Sequence, residues 1–205
     1  MGWHSRHRRR FAFRETSDPF RVLITEILLR QTQAVQVDAV WSEFFNEFPD
    51  AESLVRANSD RIRTVLRPLG ISRRVEGIRQ VASTIVHEHD GRVPADTKAL
   101  SNLPGVGEYI SGAVRWFAFG IPNPIADVNI YRVLGRFLGI GQKSALNRRL
   151  VIDFYGTLQN DRGSSKELHF ALLDLAHLVC KPRKPHCQAC PLRALCVYAT
   201  KPLVG

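Results

Sequence analysis

A glycine turn separates two short segments of helical periodicity at Leu103-Pro104-Gly105-Val106-Gly107. Glycine permits positive φ and close backbone approach, so a tight hairpin here can aim several amides at one anion. The helix that follows would add the positive end of its dipole to such a site. A lone pair of glycines also suits a plain helix–helix turn, and the turn by itself therefore leaves anion binding open.

Helical periodicity continues through nearly every long segment on both sides of this turn, without a convincing alternating strand. Asp18-Pro19 is a good helix start, because it offers a capping side chain and then a proline that needs no amide partner. The stripe that follows is made of Phe20, Leu23, Ile24, Ile27 and Leu28. We therefore predict an all-α chain of short helices.

The composition favours a polyanionic partner over a membrane. The net charge is +10 and the pI is about 10.0, which suits binding to phosphates with release of counterions, although it also suits mere solubility. The basic run at residues 6–10 fits either a phosphate-binding arm or an unstructured tail. No apolar run approaches the roughly 18 residues of a membrane span, and we expect a cytoplasmic protein.

Four cysteines lie within the last 26 residues, spaced Cys-x6-Cys-x2-Cys-x5-Cys: Cys180, Cys187, Cys190 and Cys196. A disulfide framework is not expected in a cytosolic chain of this size. Structural zinc normally uses two tight Cys-x2-Cys pairs, and only one is present. The chemistry of four thiolates therefore favours an iron–sulfur cluster and leaves zinc as the alternative.

Together these motifs resemble the endonuclease III-like DNA glycosylases, which carry a helix-hairpin-helix and a C-terminal [4Fe–4S] loop. The resemblance runs from about Phe11 to Tyr198. It implies that residues 103–107 grip one DNA backbone and that the four cysteines hold a [4Fe–4S] cluster. It also implies that Asp127, in Asp127-Val128-Asn129-Ile130-Tyr131-Arg132, is the catalytic aspartate. A fixed carboxylate there would stabilise the positive charge that develops on the sugar, whereas Asp127 alone would be interpreted as a helix N-cap.

The subclass depends on Tyr109, two residues after Gly107, where endonuclease III has a lysine that forms a Schiff base. A phenol cannot form an imine, and tyrosine at this position is typical of mismatch-specific thymine glycosylases. Glu26 matches an active-site glutamate of the thymine and adenine classes, and Arg30 agrees with the thymine class. Gln31 matches a residue inserted near the opposite base. Ile71 matches the apolar wedge that fills the gap left by a flipped base.

We therefore predict two all-α domains flanking a DNA-binding cleft: residues 20–124 as a helical barrel with the hairpin, and residues 1–19 plus 125–205 as the cluster domain. The predicted function is a monofunctional glycosylase that removes thymine or uracil mispaired with guanine from double-stranded DNA. We expect a monomer associated with the nucleoid. One alternative is an adenine glycosylase without the further C-terminal domain of that class. Another is a non-catalytic iron–sulfur protein that binds DNA.

Overall fold

The structure is a computed structural model that describes residues 2–71, 74–141, 144–160 and 166–200, with Asn160 described by its backbone alone. In these ranges every regular element is a helix, and the predicted all-α class is confirmed. The α-helices are α1 (Gly2–His7), α2 (Pro19–Leu29), α3 (Ala34–Glu47), α4 (Ala51–Arg56), α5 (Ser59–Leu66), α6 (Val75–Glu88), α7 (Thr97–Asn102), α8 (Glu108–Phe117), α9 (Val128–Leu138), α10 (Ala145–Asn160), α11 (Lys166–Leu178) and α12 (Val197–Thr200). None of the helices in the described ranges has the length and apolar character needed to cross a membrane.

Helix α2 begins where its sequence predicts, because two adjacent residues satisfy its first turn. Asp18 precedes the helix with extended backbone, and its Oδ1 accepts the N–H of Arg21 at 2.7 Å. Pro19 occupies the first helical position, where no N–H partner is needed. The predicted apolar stripe then enters the core, and three of its members are 0% exposed: Leu23, Ile24 and Leu28.

The chain divides into two compact units, which we call the hairpin unit (Arg10–Asn123) and the cysteine unit (Met1–Arg9 with Pro124–Gly205). The N-terminal boundary lies ten residues earlier than the sequence analysis placed it. Ala12 N–H donates to Asp38 Oδ1 at 2.7 Å, and the 3-10 turn Ala12–Arg14 packs on α2 and α3. These contacts explain why residues 10–19 group with the hairpin unit.

In the hairpin unit, α2 packs against both α3 and α8. A buried hydrogen bond of 2.9 Å, from Trp41 Nε1 to Thr25 Oγ1, fixes α3 against α2. Large side chains such as Phe44 and Trp116 are fully or almost fully buried, and each contributes about 1.5–3 kcal/mol of hydrophobic stabilisation. This packing sets the helix that carries Glu26 against the helix that carries Tyr109.

In the cysteine unit, α9 packs against α10, α11 and α12, and the N-terminal helix α1 lies on α11. Asp174 of α11 is 0% exposed, and its Oδ2 accepts the backbone N–H of Arg9 at 3.0 Å. His4 Nε2 lies 3.3 Å from the same oxygen. The basic N-terminal run is therefore anchored in this structure, in contrast to the unstructured tail that its sequence left open.

Candidate functional site

The hairpin between α7 and α8 uses its two glycines in different ways. Gly105 has a φ of +71°, in the left-handed region that favours glycine, and the N–H of Val106 closes the turn on Leu103 O at 3.0 Å. Leu103 and Val106 are buried beneath it. Gly107 has extended backbone at the N-cap of α8, and a Cβ placed there would meet nothing within 4 Å. Only Gly105 is thus required by the backbone, whereas Gly107 leaves open space at the start of α8.

The segment after α2 contacts this hairpin. Arg30 is exposed, and its Nη1 donates to Gly105 O at 3.1 Å. Gln31 is also exposed and has a φ of +56°. Ile71, the predicted wedge, is only 6% exposed and therefore packs in the core of the hairpin unit in this structure. The structure thus brings Arg30 to the hairpin, while the apolar side chain of Ile71 is not presented at the surface.

Asp127 caps helix α9 with a carboxylate whose two oxygens are both engaged. Its Oδ1 accepts the N–H groups of Asn129 and Ile130, each at 2.9 Å, and its Oδ2 accepts Asn129 Nδ2 at 2.6 Å. The residue is half-buried. Three hydrogen-bond donors at the start of α9 hold the carboxylate in one orientation.

The Asp127 cap continues as a chain of hydrogen bonds to the first cysteine. Asn129 Oδ1 accepts Arg132 Nη1 at 3.0 Å, and Arg132 Nε donates to the backbone oxygen of Cys180 at 2.8 Å. Arg132 Nη2 also donates to Ala176 O at 3.1 Å. Burial lowers the pKa of the Arg132 guanidinium, and Cys180 opposes that shift. The guanidinium thus joins the Asp127 cap to the end of α11 through fixed geometry.

Glu26 and Tyr109, the other two predicted catalytic residues, lie in the hairpin unit. Glu26 is half-buried near the middle of α2, between the buried residues Thr25 and Ile27. Tyr109 is half-buried in the first turn of α8, two residues after the open N-cap at Gly107. Because α2 and α8 pack together, Glu26 and Tyr109 are on neighbouring helices, whereas Asp127 belongs to the cysteine unit.

The four cysteines line a single pocket in the cysteine unit. Each is a free thiol that is partly exposed, and the pocket wall between them is mostly apolar. The apolar part of the wall includes Val133, Phe137, Leu175, Val179, Pro185 and Leu192. Burial raises the pKa of the Cys190 thiol, a shift that coordination to a metal would oppose, because metal binding deprotonates thiols. Four soft thiol donors around one apolar pocket fit an iron–sulfur group. Among the described residues, no three His, Cys, Asp or Glu side chains are placed to coordinate a single metal ion directly.

Arg136 supports the first residues of the cysteine segment, which we define as residues 180–196. Its Nη1 lies 3.4 Å from Cys180 Sγ and donates to Lys181 O at 2.7 Å, and its Nη2 donates to Pro182 O at 2.6 Å. Its guanidinium also stacks on the ring of Tyr198 at 4.8 Å from the ring centroid. A permanent cation beside thiolates would stabilise their negative charge.

The hairpin, the Asp127 cap and the cysteine pocket agree with comparisons to known proteins. Residues 24–151 match the HhH-GPD superfamily of base excision DNA repair proteins, and residues 180–196 match the iron–sulfur binding domain of endonuclease III. The chain belongs to the HhH-GPD superfamily. This is a family of DNA glycosylases, so the predicted resemblance and the predicted enzyme class are confirmed.

Within the HhH-GPD superfamily, the chain is similar to thymine and uracil glycosylases. It is 38% identical over 192 residues to the thymine-DNA glycosylase of Aeropyrum pernix, covering 91% of this chain and 85% of the relative. The thymine/uracil-DNA glycosylase of Methanothermobacter thermautotrophicus is 34% identical over 196 residues, covering 95% and 88%. The solved structure of a thermostable thymine-DNA glycosylase superposes with a TM-score of 0.84 at 34% identity, covering 93% of this chain and 88% of that one. Adenine DNA glycosylases also match, at lower identity.

Sequence analysis missed the arginines that support these sites. Asn129, Arg132 and Arg136 lie at positions i, i+3 and i+7 of α9, so they share one face of the helix. A row of polar side chains on one face of a helix can be recognised in the sequence, and it indicates that this face has polar partners. Arg74, which contacts Arg30 and Gln31 from 44 and 43 residues away, carried no comparable local signal.

Proposed function

We propose that this protein is a monofunctional DNA glycosylase that hydrolyses the N-glycosidic bond of thymine or uracil mispaired with guanine. The observation that carries the proposal is the Asp127 carboxylate, fixed by three donors at the start of α9. The similarity to thymine and uracil glycosylases over more than 90% of the chain supports the substrate class.

The chemistry assigned to Asp127 is electrostatic. Breaking the bond between base and sugar builds positive charge on the sugar, and a carboxylate already held in place stabilises that charge without reorganisation. The same carboxylate is suited to orient the attacking water. Asn129 and Arg132 would keep its orientation constant, because they extend the hydrogen-bonding chain into the unit's interior.

Tyr109 supports hydrolysis without strand cleavage. A lysine at this position would attack the sugar and form an imine, but a phenol cannot, so water remains the nucleophile. We assign Tyr109 to the wall beside the extruded base and Glu26 to hydrogen bonding with the pyrimidine edge. Both residues are half-buried, which suits contact with a base that enters from duplex DNA.

We assign a [4Fe–4S] cluster to Cys180, Cys187, Cys190 and Cys196. Bound there, the cluster would cross-link the segment between α11 and α12 through four thiolates. Double-stranded DNA with a mismatched or damaged base is the proposed partner of a monomer. The hairpin, Arg30 and the charge of +10 would supply contacts to its phosphates.

The proposal is tested by incubating the protein with duplexes that contain G·T, G·U, A·8-oxoguanine or normal pairs, and then cleaving abasic sites with alkali. Release confined to G·T and G·U is expected. Release of adenine opposite 8-oxoguanine would favour the adenine glycosylases, a class in which Glu26 also has a counterpart. Release from no duplex by the iron-loaded protein would contradict a catalytic function.

The monofunctional assignment has a separate test in Tyr109→Lys. This change places an amine in the first turn of α8, so strand cleavage without alkali and borohydride trapping on DNA are expected. Failure to trap the variant on a duplex that the wild type processes would show that Tyr109 does not occupy the position of the imine-forming lysine.

A further inference from the structure

Gln31 occupies a backbone position that normally suits glycine. Arg30 has φ and ψ of −63° and 118°, Gln31 has a φ of +56°, and Thr32 N–H donates back to Leu29 O at 3.3 Å. These values describe a type II β-turn with Gln31 at its third residue, where positive φ favours glycine or asparagine. A glutamine held there against its conformational preference indicates that its side chain has a role.

Arg74 holds this turn from the N-terminus of α6. Its Nη2 donates to Gln31 Oε1 at 2.9 Å, and its Nη1 donates to the carbonyl oxygen of Arg30. The backbone N–H of Arg74 donates to Ile71 O at 2.7 Å, so the guanidinium begins from a fixed position. One planar group therefore grips both the backbone and the side chain of the turn.

The turn is also tied to the hairpin. Arg30 Nη1 donates to Gly105 O at 3.1 Å, which joins the residue before Gln31 to the loop between α7 and α8. The exposed Gln31 amide consequently lies on a loop that is linked to the proposed DNA-binding hairpin. Arg74 can therefore act on DNA through the turn that it holds, without touching DNA itself.

The contact with Arg74 determines which way the Gln31 amide faces. A guanidinium has only donors, so the atom it contacts must be the amide oxygen, and Nε2 is left on the other limb of the amide. Nε2 is a donor. At position 6 of a purine, guanine carries an acceptor and adenine carries an amine donor. Where it meets position 6 of the opposite purine, an amide held in this orientation donates to guanine O6, whereas at adenine it faces a second donor.

We propose that Arg74 is a positioning residue that sets the polarity of the Gln31 amide, and that this pair selects guanine over adenine as the base opposite the target. The proposal rests on the proposed function, which has guanine opposite the target base, and on the prediction from the sequence that Gln31 lies near that base. It adds a specificity determinant, Arg74, that acts through Gln31 and leaves bond cleavage to other residues.

The test measures discrimination and not overall activity. Iron-loaded wild type and variants are titrated with duplexes that carry a tetrahydrofuran abasic analogue opposite guanine or adenine. The first ratio is the dissociation constant for the adenine duplex divided by that for the guanine duplex. The second ratio is the single-turnover rate of uracil release from a G·U duplex divided by the rate from an A·U duplex. Arg63→Met is the matched control, because Arg63 is an exposed arginine of the same unit that pairs with Asp60.

Arg74→Met should lower both ratios by about three- to tenfold, the value of one hydrogen bond, while Arg63→Met leaves them unchanged. Arg74→Lys should recover part of the preference, because an ammonium also only donates. Gln31→Met should lose the preference even if Arg74→Met proves unstable, because methionine has nearly the length of glutamine but no N–H for guanine.

The inference is overturned if Arg74→Met or Gln31→Met keeps the wild-type ratios, or if the wild type itself prefers guanine in neither assay. A wild type that prefers guanine in binding but releases no pyrimidine would contradict the proposed function. In that case the binding ratios of the variants still decide the role of Arg74.

Discussion

The hairpin at residues 103–107 and the cysteine segment at residues 180–196 are both short irregular stretches next to helices, but they are stabilised differently. The hairpin buries Leu103 and Val106 and closes its own turn through backbone hydrogen bonds. The cysteine segment contains no fully buried residue. Besides short backbone turns of its own, it is held by Arg132 and Arg136, which bind its first three carbonyl groups, and by the wall of the thiol pocket. The hairpin therefore has a buried apolar anchor of its own, whereas we expect the cysteine segment to depend more on what its thiols bind.

The largest expected effect follows from removing one thiol. Cys187→Ala should abolish the iron–sulfur absorbance and make residues 180–196 susceptible to proteolysis, because no buried side chain replaces the lost cross-link. Iron content and mapped cleavage sites measure this outcome. Hydrogen exchange at the hairpin should stay as in the wild type. Equal loosening of the two segments would contradict the difference between them, and one zinc without iron in anaerobically purified wild type would contradict the cluster.

A smaller effect is expected from Arg132→Met, which breaks the connection between the Asp127 cap and the cysteine segment. The variant loses three donated hydrogen bonds, to Asn129, Ala176 and Cys180, so single-turnover base release should fall by about tenfold with little change in DNA affinity. Arg149→Met is the control, since Arg149 is an exposed arginine of the same unit. Unchanged base release would show that the connection does not support Asp127.

The smallest effects separate the two glycines of the hairpin. Gly105→Ala should lower the free energy of unfolding by about 1–2 kcal/mol, because alanine is strained at a φ of +71°. Gly107→Ala should leave stability unchanged, since its backbone is extended and the space beyond it is open. Denaturant titration measures both changes. A loss of DNA affinity in Gly107→Ala without a loss of stability would show that DNA approaches the start of α8 closely.

Local signals predicted much of this fold. Asp18-Pro19 marked the start of α2, and the apolar stripe predicted after it is buried in the core. The cysteine spacing indicated the iron–sulfur segment, because its ligands lie within 17 residues of one another. Such features depend on neighbouring residues, whose periodicity and spacing can be read directly from the sequence.

Features that depend on distant residues were not predictable in the same way. Ile71, which stays a predicted wedge, is 6% exposed, and this burial could not be predicted from the sequence because it depends on the helices packed around the residue. Two further examples are the hydrogen bonds from Arg74 to the turn after α2 and the hydrogen bond from Arg132 to Cys180. They join residues that are 43 to 48 positions apart in the sequence. No local pattern encodes these pairings, which arise only when the helices pack.

The most direct test of the account compares wild type with Asp127→Asn in single-turnover release of uracil from a G·U duplex. Asparagine is as good an N-cap as aspartate, so α9 should persist, and affinity for a duplex with an abasic analogue should be retained. The neutral amide cannot offset the charge on the sugar, which costs about 3–4 kcal/mol, so release should fall by roughly 150- to 900-fold. Wild-type release rates in a folded, DNA-binding Asp127→Asn variant would contradict the account.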